Sequence, residues 1–249
     1  TPQLPEARMT ISGDQLTFAG NPLPLNCATL APGFSETPSS GFPDHDTARR
    51  YAAQLRRHGY NIVRFHFVDA LLMRGSKQDF VFNPQELDRF QFFMAELRKQ
   101  HIHWIVDILA SDNAALGNIF PHRWAQKRGM VVGTVLNPQT FHHWQTLAER
   151  LLTIPNPYTG LTLAADPHTA GLVLINEPNL DFRLEVANKF KAGPIPEPFL
   201  SAYLQSGGSS AHLPVPTSSQ EQSPAMERFE RFLNDRERIT LAEMTATVR

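Results

Sequence analysis

Three successive helix-to-strand units, each ending in an apolar strand, predict an α/β fold with a parallel sheet. Antiparallel strands with one wet face would alternate apolar and polar residues, and these runs do not. No glycine-rich phosphate loop follows any of the strands, which argues against a nucleotide-binding sheet. Periodicity alone does not choose between an open doubly wound sheet and a closed barrel.

The elements follow in order. Met9 to Leu25 alternates short apolar runs with the turn signals Gly13-Asp14 and Gly20-Asn21-Pro22, so a β-hairpin leads into a first strand and caps one end of the domain. Asp46 is placed to cap a helix whose apolar positions Ala48, Tyr51, Ala52 and Leu55 recur at helical spacing, and Gly59 stops it. Asn61 to Phe67 is the strand that follows. Asn83, Pro84 and Glu86 read as a capping box with proline at the first helical position, ahead of Leu87, Phe90, Met94 and Leu97 on one face. Ile102 to Leu109 is the next strand. Asn137-Pro138 opens a third helix through Phe141, Trp144, Ala148 and Leu151, and Gly171 to Ile175 is a short strand expected to be buried on both faces. Residues 197–224, rich in Ser, Gly and Pro, read as a long irregular loop. From Met226 a long amphipathic helix runs through Phe229, Leu233, Leu241 and Met244 to the last residues.

Composition narrows the function. With 23 Lys plus Arg against 24 Asp plus Glu there is no excess charge to draw the surface to nucleic acid or an anionic membrane. Arg64, His66 and Asp69 interrupt the most apolar stretch, so no membrane span is expected. The single cysteine, Cys27, cannot form an intramolecular disulfide, and no Cys/His spacing suggests a metal site. His142 and His143 are adjacent on a helix and point apart. No cofactor is implied. The chain opens at Thr1-Pro2 without an initiator Met, which reads as processing or trimming and is compatible with a secreted or periplasmic protein.

The most informative stretch is Asn156-Pro157-Tyr158-Thr159-Gly160, then Gly171 to Ile175, then Asn176-Glu177-Pro178. In a parallel α/β fold, residues just past the C-terminal ends of strands line the ligand site, so Glu177 stands where a catalytic group is expected. Partial burial there would raise its carboxyl pKa, as a general acid requires near neutral pH.

Together with Leu25-Asn26 after the hairpin, Gly59 to His66 on the second strand and Leu87-Asp88-Arg89 opening the next helix, these residues resemble the clan of retaining (β/α)8-barrel glycoside hydrolases that includes cellulases and β-mannanases. The resemblance implies the N-terminal portion of a TIM barrel, about strands one to four, with an N-terminal β-hairpin. It implies one domain over residues 1–249 that stops before a fifth strand. By the same resemblance, Glu177 matches the acid/base glutamate and Asn176 the asparagine that bonds the sugar hydroxyl beside the reacting carbon. Arg64 matches the arginine that orients the nucleophile, and His66 matches a histidine of the same pocket. Asn26 matches a further substrate contact.

A retaining glycosidase needs a second carboxylate about 5 to 5.5 Å from the first. The clan's nucleophile follows the seventh strand, and only four strands can be placed here. The clan often has a histidine near the end of its third strand, where Val106-Asp107-Ile108-Leu109 offers Leu109. Asp107 either points into the pocket or serves as a structural partner for Arg64. Trp144 lies on a helical face and reads as core, whereas Trp124, in an irregular stretch, is a candidate for stacking on a sugar ring.

Three functions fit: a hydrolase of a β-linked oligo- or polysaccharide whose other barrel half lies past Arg249, a non-catalytic carbohydrate-binding module, or a half-barrel scaffold. The expected partners are a glycan and the remaining half of the barrel.

Overall fold

The computed structural model describes residues 8–31, 41–75, 80–110, 129–187, 195–210, 213 and 223–249. The expected hairpin is present and gains a third strand: β1 (Met9–Ser12), β2 (Gln15–Phe18) and β3 (Asn21–Pro22) form one antiparallel sheet. A second sheet, wholly parallel, runs in the order β4 (Cys27–Leu30), β5 (Ile62–Phe65), β6 (His103–Asp107) and β7 (Thr169–Val173).

Helices α1 (His45–Arg57), α3 (Pro84–Lys99) and α5 (Pro138–Thr153) connect these strands, with the short α2 (Val68–Leu72) and α4 (Met130–Leu136) between. Asn83 and Asn137 cap α3 and α5 as the Asn-Pro pairs predict, each side chain accepting from two backbone N–H groups. Gly59 ends α1 at φ +80°, a left-handed turn that glycine adopts without strain.

Local expectations differ from the structure in five places. The cap of α1 is Asp44, whose carboxylate accepts from the Thr47 N–H at 2.8 Å, because the helix starts one residue before Asp46. Tyr51 shares the helical stripe but is 49% exposed, since α3 covers only the Ala48 and Ala52 side of α1. Glu86 does not close a capping box: it is buried and accepts from the Phe42 N–H at 2.9 Å, tying the approach to α1 onto α3. Strand β7 begins two residues before the expected run, and all five of its residues are half-buried because among the described residues only β6 pairs with it. Within residues 197–224, α7 (Phe199–Gln205) replaces irregular chain. Its buried Phe199 and Tyr203 stand one turn apart, and Tyr203 packs against Phe229 and Phe232 at 5.2 and 5.3 Å.

Those two phenylalanines belong to α8 (Pro224–Thr247), the long final helix, which packs on α4 and α6 (Leu180–Ala187). The core lies between the parallel sheet and its helices. Phe65 meets Phe90 and Phe93 edge-on at 5.2 and 5.7 Å, and Trp144 donates to the Leu174 carbonyl at 2.9 Å. Val63 and Phe65 thus face the helices, and alternation puts Arg64 on the opposite, inner face of the sheet.

Candidate active site

Arg64 lies level with Thr29 on β4 and Ile105 on β6, so its side chain reaches toward the C-terminal ends of the strands. There it meets Asp107, the last residue of β6, in a two-pronged pair: Nε donates to Oδ1 at 2.9 Å and Nη2 to Oδ2 at 2.7 Å. Asp107 is fully buried. Hydrogen bonding to it raises the Arg64 guanidinium above its ordinary value. His66, two residues along from Arg64 and on the same side, brings Nδ1 against Asp107 Oδ2. Asn176 completes the group, its Oδ1 accepting from Arg64 Nη2 at 2.8 Å while its N–H donates to the Leu109 carbonyl at 2.8 Å. Four residues from three strand ends therefore form one bonded network.

Glu177 follows at once in the left-handed region, φ +51°. Phe67, directly after His66, sits at φ +60°. Each such non-glycine residue costs about 1–3 kcal/mol, and strain of this kind collects at functional sites. These two flank the network at the ends of neighbouring chain segments. Arg183 on α6 holds the Glu177 peptide: Nε donates to the Glu177 carbonyl at 3.0 Å, and Nη2 lies 3.6 Å from Oε2.

Of the residues singled out in the sequence, the structure joins Arg64, His66, Asp107 and Asn176 in one network; Glu177 follows Asn176 in the chain, with its carboxylate beside Arg183. Sequence reasoning missed Arg183, whose signal is an arginine one turn into the helix that starts after Asn176-Glu177. Two expectations end differently, and a third lies outside the described residues. The Glu177 side chain is 65% exposed, so the described residues do not supply the partial burial expected for a general acid. Asn26 stands before β4, where its N–H and carbonyl bond Asn61; this is the N-terminal end of the sheet, opposite Glu177, because parallel strands put all their N-termini together. Trp124 lies outside the described residues.

Other resembling residues support the outer layer. Tyr158 donates to Asp88, which also bonds His45 at 2.9 Å, and His45 stacks on Phe92 at 3.7 Å. Asn156 donates to the Gln91 carbonyl at 2.9 Å and accepts from the Tyr158 N–H, shaping the turn that Gly160 completes at φ +72°. Among the described residues no three His, Cys, Asp or Glu converge to hold a metal ion, and no helix is long and apolar enough to cross a membrane.

No protein-family model and no curated protein sequence matches the chain. Solved structures do. It is similar to an endo-1,4-beta-mannanase from Rhizomucor miehei, with a TM-score of 0.54 at 17% identity, over 69% of this chain and 49% of that one. It is also similar to a glycoside hydrolase family 5 mannosidase from the same organism, with a TM-score of 0.51 at 12% identity, over 74% and 52%. A mutant of that mannosidase, solved in complex with mannosyl-fructose, gives 0.52 at the same identity and coverage. The chain spans about half the length of the structures it matches. Its four parallel strands have the fold of part of a (β/α)8 barrel, and among the described residues β4 and β7 are each paired on one side.

Proposed function

We propose that the protein is a retaining glycoside hydrolase of a β-linked glycan, with Glu177 as its general acid/base. The observation that carries this reading is the join between Asn176 and Glu177. Asn176 is locked to the Arg64–Asp107 pair, and the chain then turns left-handed to present an exposed carboxylate at the sugar-facing end of the sheet. Asn176 bonds the sugar hydroxyl, Arg64 and His66 line the pocket floor, and Asp107 positions both. In a complete barrel, later strands would wall Glu177 in and supply the second carboxylate.

Asp107 cannot be that nucleophile. It is fully buried, and both of its oxygens are occupied by Arg64 and His66. That fact favours a second reading for residues 1–249 alone: a module that holds sugar without cleaving it. The two readings part on activity against β-mannans and β-glucans. The chain by itself should be inactive, and Glu177→Gln in a complete barrel should lower the rate about 10² to 10⁴-fold on poorly activated substrates. Near-normal rates for that variant would remove Glu177 from the acid/base role.

A further inference from the structure

We propose that Glu237, on the final helix, is a positioning residue for Glu177 and acts on it through the first turn of α6 and Arg183. The meaning of this for catalysis rests on the acid/base role proposed for Glu177; the geometry does not.

Glu177 needs outside contacts to keep its conformation. It sits at φ +51°, and Pro178 after it favours extended backbone at the residue before a proline. Backbone of that kind persists only where its surroundings over-determine it. On one side the constraint is Asn176, bonded to Arg64 and to the Leu109 carbonyl. On the other side it is α6, separated from Glu177 by Pro178 and Asn179 alone. Arg183, one turn into that helix, returns to the Glu177 carbonyl and carboxylate with a side chain only 11% exposed.

That hold is as firm as the start of α6. The helix has 8 residues, fewer than the roughly 12–15 that an isolated helix needs, so its stability must come from packing. Two of its first backbone N–H groups are satisfied from different sources. Asn179 Oδ1 accepts from Phe182 at 2.6 Å, whereas Leu180 donates to Glu237 of α8, 57 residues away. The Glu237 carboxylate also meets the positive end of the α6 dipole. Its neighbours on α8 are fixed in turn: Arg236 and the buried Thr240 both donate to the Val135 carbonyl in the last turn of α4, at 3.1 and 3.3 Å. Helix α8 thus sets an anion against the start of one helix and a cation against the end of another.

Hydrogen exchange by NMR on the 249-residue chain tests the linkage without any enzymatic activity. Glu237→Ala, at a half-buried helical position that alanine favours, should leave the circular dichroism unchanged. It should speed exchange of the Leu180 amide and the Arg183 Nε–H by about tenfold or more, the scale of losing a bond to a charged group. Glu237→Gln, which keeps an acceptor oxygen in place, should restore most of the protection. Glu237→Asp, one methylene short of Leu180, gives the same readout if the alanine variant does not fold. Thr240→Ala loosens α8 from α4 but not from α6, and should leave both signals as they are. An Arg183 Nε–H indifferent to loss of the Glu237 acceptor, or equally disturbed by Thr240→Ala, would overturn the proposal. In a complete barrel, Glu237→Ala should lower kcat on poorly activated glycosides with KM held, and spare substrates whose leaving group needs no proton. Equal losses on both would make Glu237 structural only and overturn it too. Glu177→Gln is the control: normal rates there remove the acid/base reading, while the exchange results still decide whether Glu237 positions residue 177.

Discussion

The two ends of the parallel sheet handle buried polarity in opposite ways. At the N-terminal end, His103 is 5% exposed, packs edge-on against Phe18 of the hairpin at 4.9 Å and stacks on His168 at 4.9 Å. Burial, and then the neighbouring His168 charge, push its imidazole down to about 4, so it is neutral in the folded protein. Burial opposes ionisation of Asp166 beside it, but hydrogen bonds from His168 and the Arg98 charge prevail and hold that carboxyl below its ordinary value. This end is sealed. At the C-terminal end, Arg64 and His66 stay partly open and Glu177 is exposed. The difference teaches a division of labour: polar groups under the hairpin are packed away from solvent, and those at the strand ends stay open to it, where the proposed function puts its ligand.

The largest expected effect tests the strand-end network. Asp107→Ala leaves Arg64 without its buried counter-ion and should lower unfolding stability by about 3–5 kcal/mol, as read from urea unfolding. A loss under about 1 kcal/mol would show that solvent already satisfies Arg64 and that this end is looser than its hydrogen bonds suggest.

The next effect belongs to the sealed end. A histidine whose folded-state value lies below its unfolded value of 6.5 stabilises fully above 6.5 and loses that contribution as pH falls toward about 4. Stability should therefore drop by about 3 kcal/mol across that window. His103→Gln should flatten the profile over the same range in pH-dependent unfolding. An unchanged slope would assign the titration to another group and dissolve the contrast between the ends.

The smallest effect has the opposite sign. Glu177→Gly relieves a left-handed φ that only glycine adopts freely, at the loss of an ion pair whose Glu177 end is exposed while Arg183 keeps its bond to the residue-177 carbonyl, and should raise the melting stability by about 0.5–1 kcal/mol. A stabilised protein without its proposed acid would sharpen the view that strain at this end serves function. A destabilised one would show that Arg183 and Glu177 hold the fold.

Much of this arrangement was legible in the residues. Asn83-Pro84, Asn137-Pro138 and Gly59 mark helix ends by chemistry confined to a few neighbouring positions, and they act as the sequence implies. Alternation along β5 was enough to put Arg64 and His66 on one side. Asn26 shows the limit. Its neighbourhood in sequence is site-like, but a parallel strand delivers its first residue to the end away from its last. Arg183 was hidden for a similar reason: only the packing of α6 brings it back to Glu177.

What the sequence determined by itself was local and periodic: the helix-strand order, the hairpin, the buried stripes of α3 and α5, and a carboxylate just past a strand. Hydrogen bonds and apolar spacing within a few residues carry that information. The tertiary structure alone decided that Asp107 spends both oxygens on Arg64 and His66, that the four parallel strands run in the order β4-β5-β6-β7, and that Asn26 and Glu177 stand at opposite ends. Those are contacts between segments dozens of residues apart, and their geometry is set by how the strands register and the helices pack rather than by any residue's neighbours in the chain.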